Sequence, residues 1–255
     1  MTYMDEEAIA LTYELSARNS NNVVTKNYTG NFAKSSVLLV AENNNNAIDL
    51  APTRLTGAGT GSWAQGIYTN AVDMAPDIDL VSFIRNPTPA LDGPFDNLLF
   101  GVKLTDIEKS DFIGLDMLAN TAKSLSSTAS QIRFGRATLS NSYGPETSPL
   151  GQVLAIEYFN GTRFVLAATD TCSQYNSANI SFGSLNEVNI DVADIAVVSG
   201  SFVDGNDLPH GLTRQIVLPA SGLLNRGEVQ VIYQAPPWLK YNWNNIDEGA
   251  DGLIY

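Results

Sequence analysis

The chain has 255 residues, with 14 Lys and Arg against 27 Asp and Glu, so its formal net charge is -13. Binding to nucleic-acid phosphates requires a basic stripe, and the sequence contains no run of five or more Lys and Arg residues. The same acidity disfavours adsorption to anionic lipid, and no apolar run approaches the ~18 residues of a membrane-spanning helix. We therefore expect no nucleic-acid partner and no membrane insertion.

Short strands are predicted along the first half of the chain. Apolar residues alternate with polar ones over 11–17, as in a half-buried strand, and a polar turn follows at 19–22. A second strand is predicted at 37–41, and the Asn-rich segment 42–46 is expected to be an exposed loop. Further strands are predicted at 63–68, 78–84 and 97–105. No window has a sustained helical period, so we expect little helix.

Apolar density falls between residues 111 and 130, where Ala, Ser and Thr dominate the second half of the segment. We predict an N-terminal β-sandwich-like domain at 1–118, a linker at 119–130 and a C-terminal β-sandwich-like domain at 131–255. A loop within one continuous domain would look the same.

The second half also consists of short predicted strands, separated by Gly, Asn, Asp and Pro. They are expected at 132–139, 152–159, 162–168, 186–191, 195–203, 214–218 and 228–234. This spacing predicts an all-β fold of two immunoglobulin-like β-sandwich domains in tandem, with one elongated β-domain as the alternative.

The strongest hairpin pattern is Asn160-Gly161, because Asn-Gly supplies the two positive-φ residues of a type I′ turn. Such a two-residue turn pairs Phe159 with Thr162. It then places these residues on one face: Leu154, Ile156, Tyr158, Arg163, Val165 and Ala167.

Three motifs resemble a known family: RFGRATLSNSYG (133–144), YFNGTRFV (158–165) and WLKYNW (238–243). Together with YTG at 28–30, FIR at 83–85 and DGPFD at 92–96, they are similar to the C-terminal domain of unassigned function in MshQ-like proteins. Those proteins are encoded with the mannose-sensitive haemagglutinin (MSHA) type IV pilus system of Gram-negative bacteria. The motif residues singled out as structural are Arg133, Arg136, Tyr143, Asn160, Gly161, Cys172, Trp238 and Trp243.

The resemblance implies a secreted, surface-exposed module of a pilus-associated protein that acts in surface adhesion or pilus assembly. Its implied partners are pilus or other cell-surface proteins, and it implies no established chemistry. The N-terminus shows no signal peptide, so we interpret the chain as a fragment of a larger extracellular protein. Arg85, Arg133 and Arg136, with Asp92 and Asp96, are expected to form ion pairs that fix loops; ligand binding is the alternative use.

Enzyme motifs are scarce. His210 is the only histidine, no G-x-S-x-G motif occurs, and one Cys and one His cannot supply a closed zinc site. Cys172 is expected to be a buried thiol, or to pair with a cysteine outside this chain. A glycoside hydrolase would need two carboxylates about 5–9.5 Å apart, and the sequence does not show such a pair. We therefore predict a protein that is not an enzyme.

Two acidic loops have the oxygen-rich composition that Ca²⁺ prefers. The candidate ligands are Asp204, Asp207, Asn245, Asp247 and Asp251. The alternative is that these residues only form turns, as Asn, Asp and Gly commonly do.

Aromatic residues suggest a carbohydrate-binding domain as an alternative function, and calcium-dependent sugar binding is one form of it. Trp63 lies among glycines at 59–66, where a loop could expose its ring to a host or environmental glycan, and Tyr68 follows it closely. Trp238 and Trp243 are expected to pack in the core.

Overall fold

The computed structural model describes residues 1–6, 9–57, 61–69, 77–86, 90–105, 113–125, 130–171, 173–188, 209–241 and 253–254. Within these ranges β-strands dominate, and the α-helix is a single turn, α1 (Ala51–Arg54). The prediction of an all-β chain with sandwich-like domains is confirmed. The chain divides into two compact units, Thr2–Ile132 (the N-terminal unit) and Arg133–Tyr255 (the C-terminal unit). No helix of the described ranges is long and apolar enough to cross a membrane.

Twelve of the described strands begin before the boundary between the two units. They are β1 (Thr2–Tyr3), β2 (Ile9–Tyr13), β3 (Leu15–Ser16), β4 (Ser36–Asn43), β5 (Ile48–Asp49), β6 (Leu55–Thr56), β7 (Ser62–Ala64), β8 (Ile67–Thr69), β9 (Asp77–Phe83), β10 (Phe95–Thr105), β11 (Lys123–Ser124) and β12 (Ser130–Arg133).

The longest strand, β10, organises the largest sheet of the N-terminal unit. It pairs antiparallel with β4 along one edge and with β11 and β12 along the other, while β1 and β5 complete the six strands. Leu98, Phe100 and Val102 are buried on one face of β10, as the predicted alternation requires. Two smaller sheets, β2-β9-β6 and β3-β8-β7, complete the described strands of this unit.

The prediction of an exposed loop at 42–46 is wrong at Glu42, which lies inside β4 and is 0% exposed. Its carboxylate accepts the backbone N–H groups of Leu118, Ala119 and Asn120 at 2.8, 2.7 and 3.1 Å. Several backbone donors compensate a buried carboxylate for lost water. Two of these donors, Ala119 and Asn120, belong to the start of the predicted linker, where Ala122 is also buried, so this part of the chain packs within the N-terminal unit.

The C-terminal unit contains seven described strands. They are β13 (Gly135–Leu139), β14 (Leu150–Phe159), β15 (Phe164–Leu166), β16 (Ile180–Val188), β17 (Leu212–Leu218), β18 (Arg226–Gln234) and β19 (Leu253–Ile254). In the first sheet β14 is central, with β13 on one edge and with β15 and β17 sharing the other. The second sheet has the order β16-β18-β19.

The predicted strand 132–139 is wrong as a single element. It is broken at Phe134 into β12, which pairs with β10, and β13, which pairs with β14 in another sheet. The predicted strand 195–203 lies outside the described residues.

The Asn160-Gly161 turn differs from the predicted two-residue type I′ turn. Phe159 pairs with Phe164 rather than with Thr162, and of the two turn residues only Gly161 has a positive φ, 97°. The loop therefore has four residues, 160–163, and is closed by a hydrogen bond from the Asn160 N–H to the Arg163 carbonyl. The pairing shifts by two residues, so the predicted assignment of side chains to faces is retained.

Candidate functional site

A buried arginine that the sequence analysis did not single out joins two of the motifs in the N-terminal unit. Arg54, at the end of α1, is 5% exposed and forms an ion pair with Asp92 at 2.6 Å. Its Nε donates to the carbonyl of Ile84 at 2.6 Å, and its guanidinium carbon lies 4.7 Å from the ring centroid of Phe83. The segments 83–85 and 92–96 therefore meet around one buried cation.

Arg85 forms the second charged contact of these motifs. Its Nε lies 3.1 Å from a carboxylate oxygen of Asp5, and its backbone N–H donates to the other oxygen of that carboxylate at 2.9 Å. Burial lowers the pKa of Arg85, while the negative charges of Asp5 and Asp92 oppose that shift. The charge of Arg85 thus helps to fix the N-terminal segment against the end of β9.

Arg136 organises the equivalent cluster of the C-terminal unit. Its Nε and Nη2 both contact one carboxylate oxygen of Glu157, at 2.8 and 2.6 Å. Its guanidinium carbon lies 3.9 Å from the ring centroid of Phe164 and 5.7 Å from that of Tyr241. The RFGR and WLKYNW motifs are therefore joined by packing through Arg136.

The other structural candidates have mixed positions. Arg133 is buried, with its guanidinium carbon 5.5 Å from the ring centroid of Tyr158, and Trp238 is half-buried. Cys172 and Trp243 lie outside the described residues.

Trp63 lines an open recess of about 470 Å³ in the N-terminal unit, rather than standing in an exposed loop. It lies in β7, is half-buried, and donates its indole N–H to the carbonyl of Ser35 at 2.9 Å. The rings of Tyr28 and Tyr68 pack edge-on against it, with centroids 5.1 and 5.4 Å away. Tyr68 is itself buried, and its hydroxyl accepts the N–H of Gly61. Trp63 is therefore partly a core residue and partly a recess wall.

The second open recess belongs to the C-terminal unit, and we call it the Tyr143 groove. Its volume is about 640 Å³, and its walls come from both sheets of the unit. The described lining residues are Leu139, Ser140, Asn141, Ser142, Tyr143, Gly144, Leu150, Gln152, Gly227, Glu228, Val229, Gln230 and Val231. The second half of the motif at 133–144 thus forms one wall of a polar groove, whereas its first half builds the Arg136 cluster.

Comparison with protein families matches residues 1–253 of the chain. The third domain of DUF6701 matches residues 1–132, and the fourth domain of DUF6701 matches residues 133–253. The chain belongs to the DUF6701 family. The junction between the two DUF6701 domains coincides with the boundary between the two compact units. Neither a curated protein nor a solved structure matches this chain.

The calcium candidates of this DUF6701 chain cannot be placed. Asp204, Asp207, Asn245, Asp247 and Asp251 all lie outside the described residues. Among the residues that are described, no group of three or more His, Cys, Asp or Glu side chains could hold a metal ion. The calcium site stays a prediction.

His210 has a conformational role in the DUF6701 fourth domain. Its φ is 59°, and its Nδ1 lies 3.0 Å from the carbonyl oxygen of Ala168. It therefore connects the entry of β17 to the end of β15, as the turn-like sequence around it suggests.

The residue of the Tyr143 groove that sequence reasoning missed is Gln152. It occupies the inward-facing positions of β14 together with Leu154 and Ile156, which are fully buried. The sequence did contain an indication of this position, because the polar residue Gln152 continues the alternating apolar series of Leu154 and Ile156.

Proposed function

We propose that this DUF6701 chain is a non-enzymatic extracellular module that acts in surface adhesion. The observation that carries the proposal is that each unit has an open recess walled by an aromatic ring and mainly by neutral groups. The motif cations Arg85 and Arg136, by contrast, form ion pairs within their own units. Open recesses suit reversible binding of a surface ligand.

The non-enzymatic part of the proposal is supported by the chemistry of the recess walls. General acid-base catalysis needs titratable groups that face each other across a cleft. The described lining of the two recesses contains one carboxylate, Glu228, which is exposed, and contains no His, Cys, Lys or Arg. A two-carboxylate glycosidase would require a second acid among these walls.

The cellular setting of the proposal is a pilus-associated surface protein of the MshQ-like, MSHA type. It is supported by the resemblance of the motifs at 133–144, 158–165 and 238–243. Pilus assembly is the alternative role in that setting, with pilus proteins as partners instead of an external surface.

The test is attachment of beads coated with the purified chain to films of mannan, cellulose and chitin and to cultured epithelial cells. We expect attachment to at least one surface, and excess soluble chain should compete with it, because both forms use the same recesses. Beads coated with albumin are the control. Attachment no greater than that of albumin beads would contradict adhesion and favour assembly.

Carbohydrate binding by the N-terminal unit is a second candidate function, and the Trp63 recess specifically favours it. The exposed serines Ser36 and Ser62 line this recess together with Trp63. Trp63 offers an aromatic wall for the apolar side of a sugar ring, and serine hydroxyls can bond its polar groups.

Calcium binding by the acidic loops of the C-terminal half is tested separately, by calorimetric melting with excess Ca²⁺ and then with excess EGTA. If the acidic loops bind calcium only when folded, Ca²⁺ at 100 times its Kd stabilises the chain by ~2.7 kcal/mol and raises the Tm. The same excess of Mg²⁺ is the control for general ionic effects. An identical Tm in Ca²⁺ and EGTA would contradict the calcium prediction.

A further inference from the structure

We infer that the Tyr143 groove is a binding site for a neutral oligosaccharide. The inference rests on the proposed adhesive function and supplies it with a ligand class and a site in the DUF6701 fourth domain. It concerns different residues, in a different unit, from the Trp63 recess.

The first observation is the state of Gln152. Its side chain is on the buried face of β14 and is only 7% exposed, yet it lines the groove. Its amide makes none of the hydrogen bonds found among the described residues, and its backbone is engaged in pairing with β17. The amide is not among the fully buried side-chain atoms that lack a partner, and Gln152 lines the groove. The oxygen and the NH₂ group of an amide can each bond a ligand hydroxyl there.

The second observation is the exposure of Tyr143, which is 98%. The loop that presents it is fixed to β14: the Ser142 hydroxyl donates to the Gly151 carbonyl at 2.7 Å, and the Ser140 hydroxyl accepts the Val153 N–H at 3.1 Å. A large ring held outside the core by an anchored loop contributes nothing to core packing. It is positioned to cover the apolar face of a sugar ring.

The charge of the walls disfavours an anionic ligand. Glu228 is exposed at the groove, and no Lys or Arg occurs among its described lining residues. The formal net charge of the chain is -13, which also opposes an anionic ligand. Asn141, Gln230 and the serine hydroxyls supply the mixed donors and acceptors that sugar hydroxyls require.

The test is isothermal titration calorimetry of the whole chain with mannohexaose, cellohexaose and N-acetylchitotetraose, and with oligogalacturonate as an anionic probe. We expect at least one neutral probe to bind. Tyr143→Ala should raise its Kd by about tenfold, the equivalent of about 1.4 kcal/mol. Gln152→Leu should raise the Kd because it removes the amide that lines the groove, and it should leave the Tm unchanged because leucine has a similar size.

Leu223→Ala is the matched control, because Leu223 is 76% exposed in the same unit and does not line the groove. Its Kd should equal that of the parent chain. The inference is overturned if no neutral probe binds at millimolar concentration, if only oligogalacturonate binds, or if both groove variants bind like the parent.

The outcome separates this inference from the adhesion proposal. Beads that attach while no neutral probe binds would reject the groove as a sugar site and leave adhesion standing. Neutral probes that bind while beads fail to attach would support the groove and reject adhesion.

Discussion

The buried guanidinium of Arg54 has several partners inside the N-terminal unit. Asp92 supplies a carboxylate, Ile84 a carbonyl oxygen, and Phe83 an aromatic face. Removing one member of such a buried pair leaves the other charge without compensation, whereas an exposed pair is well solvated after the same change. The two situations therefore predict very different losses of stability.

We predict that Arg54→Met lowers the free energy of unfolding of the N-terminal unit by about 3–5 kcal/mol, because it strands the Asp92 carboxylate. Hydrogen exchange of the β10 amides measures this free energy locally. Lys123→Met is the matched control, since the Lys123 and Asp116 side chains are 42% and 39% exposed, and it should cost about 1 kcal/mol or less. Equal losses in the two variants would contradict a structural role for the buried pair.

The charged motif residues could be recognised from the sequence, but their partners could not. Arg85 was expected to form an ion pair, and its partner Asp5 is 80 positions away in the chain. Asp92 was assigned the same role, yet its partner Arg54 belongs to a segment without any motif. The packing of the sheets decides which charged side chains form ion pairs, and a single sequence does not show which strands pack together.

Two turns show what local sequence can and cannot specify at the scale of an element. The β7–β8 hairpin has a two-residue turn, Gln65-Gly66, whose φ values of 50° and 81° suit a type I′ turn. Asn160-Gly161 has the stronger sequence pattern but forms a longer loop, because the Asn160 side chain accepts the N–H groups of Thr162 and Arg163. Asn side chains readily stabilise such turns, so the dipeptide alone does not fix the loop length.

We predict that Gly66→Ala destabilises the N-terminal unit by about 2 kcal/mol or more. At a φ of 81° an alanine is strained, and its Cβ would lie 2.6 Å from the carbonyl oxygen of Thr25 and 2.8 Å from a methyl group of Val24. Thermal melting followed by circular dichroism measures the effect. Gly151→Ala is the control, because no atom lies within 4 Å of its added Cβ. A Tm for Gly66→Ala equal to that of the control would show that this turn tolerates a side chain.

At the scale of the whole molecule, alternation of apolar residues predicted that the chain is all-β and located most of the described strands. The predicted strands 11–17 and 63–68 are wrong as single elements, because the structure divides each into two strands. The alternation did not predict the sheets, because pairing joins strands that are distant in sequence, such as β10 with β4 and β14 with β17. The break at Phe134 was missed because apolar residues continue through it from β12 into β13. The same limit applies to the Tyr143 groove, whose two walls come from different sheets.

The two recesses give the DUF6701 chain a consistent physical character. Each combines an aromatic side chain with serine hydroxyls, and each lies within a single compact unit.

The central claim is that the chain attaches to a surface without cleaving it. The most direct test measures bead attachment and polysaccharide cleavage on the same film. Beads coated with the chain are held under flow on the polysaccharide film that retains them best, and the outflow is assayed for newly formed reducing ends. The account predicts attachment that soluble chain competes away, with no reducing ends above those from albumin beads. Reducing ends that accumulate with time would contradict a non-enzymatic module, and beads that wash off like the albumin control would contradict adhesion.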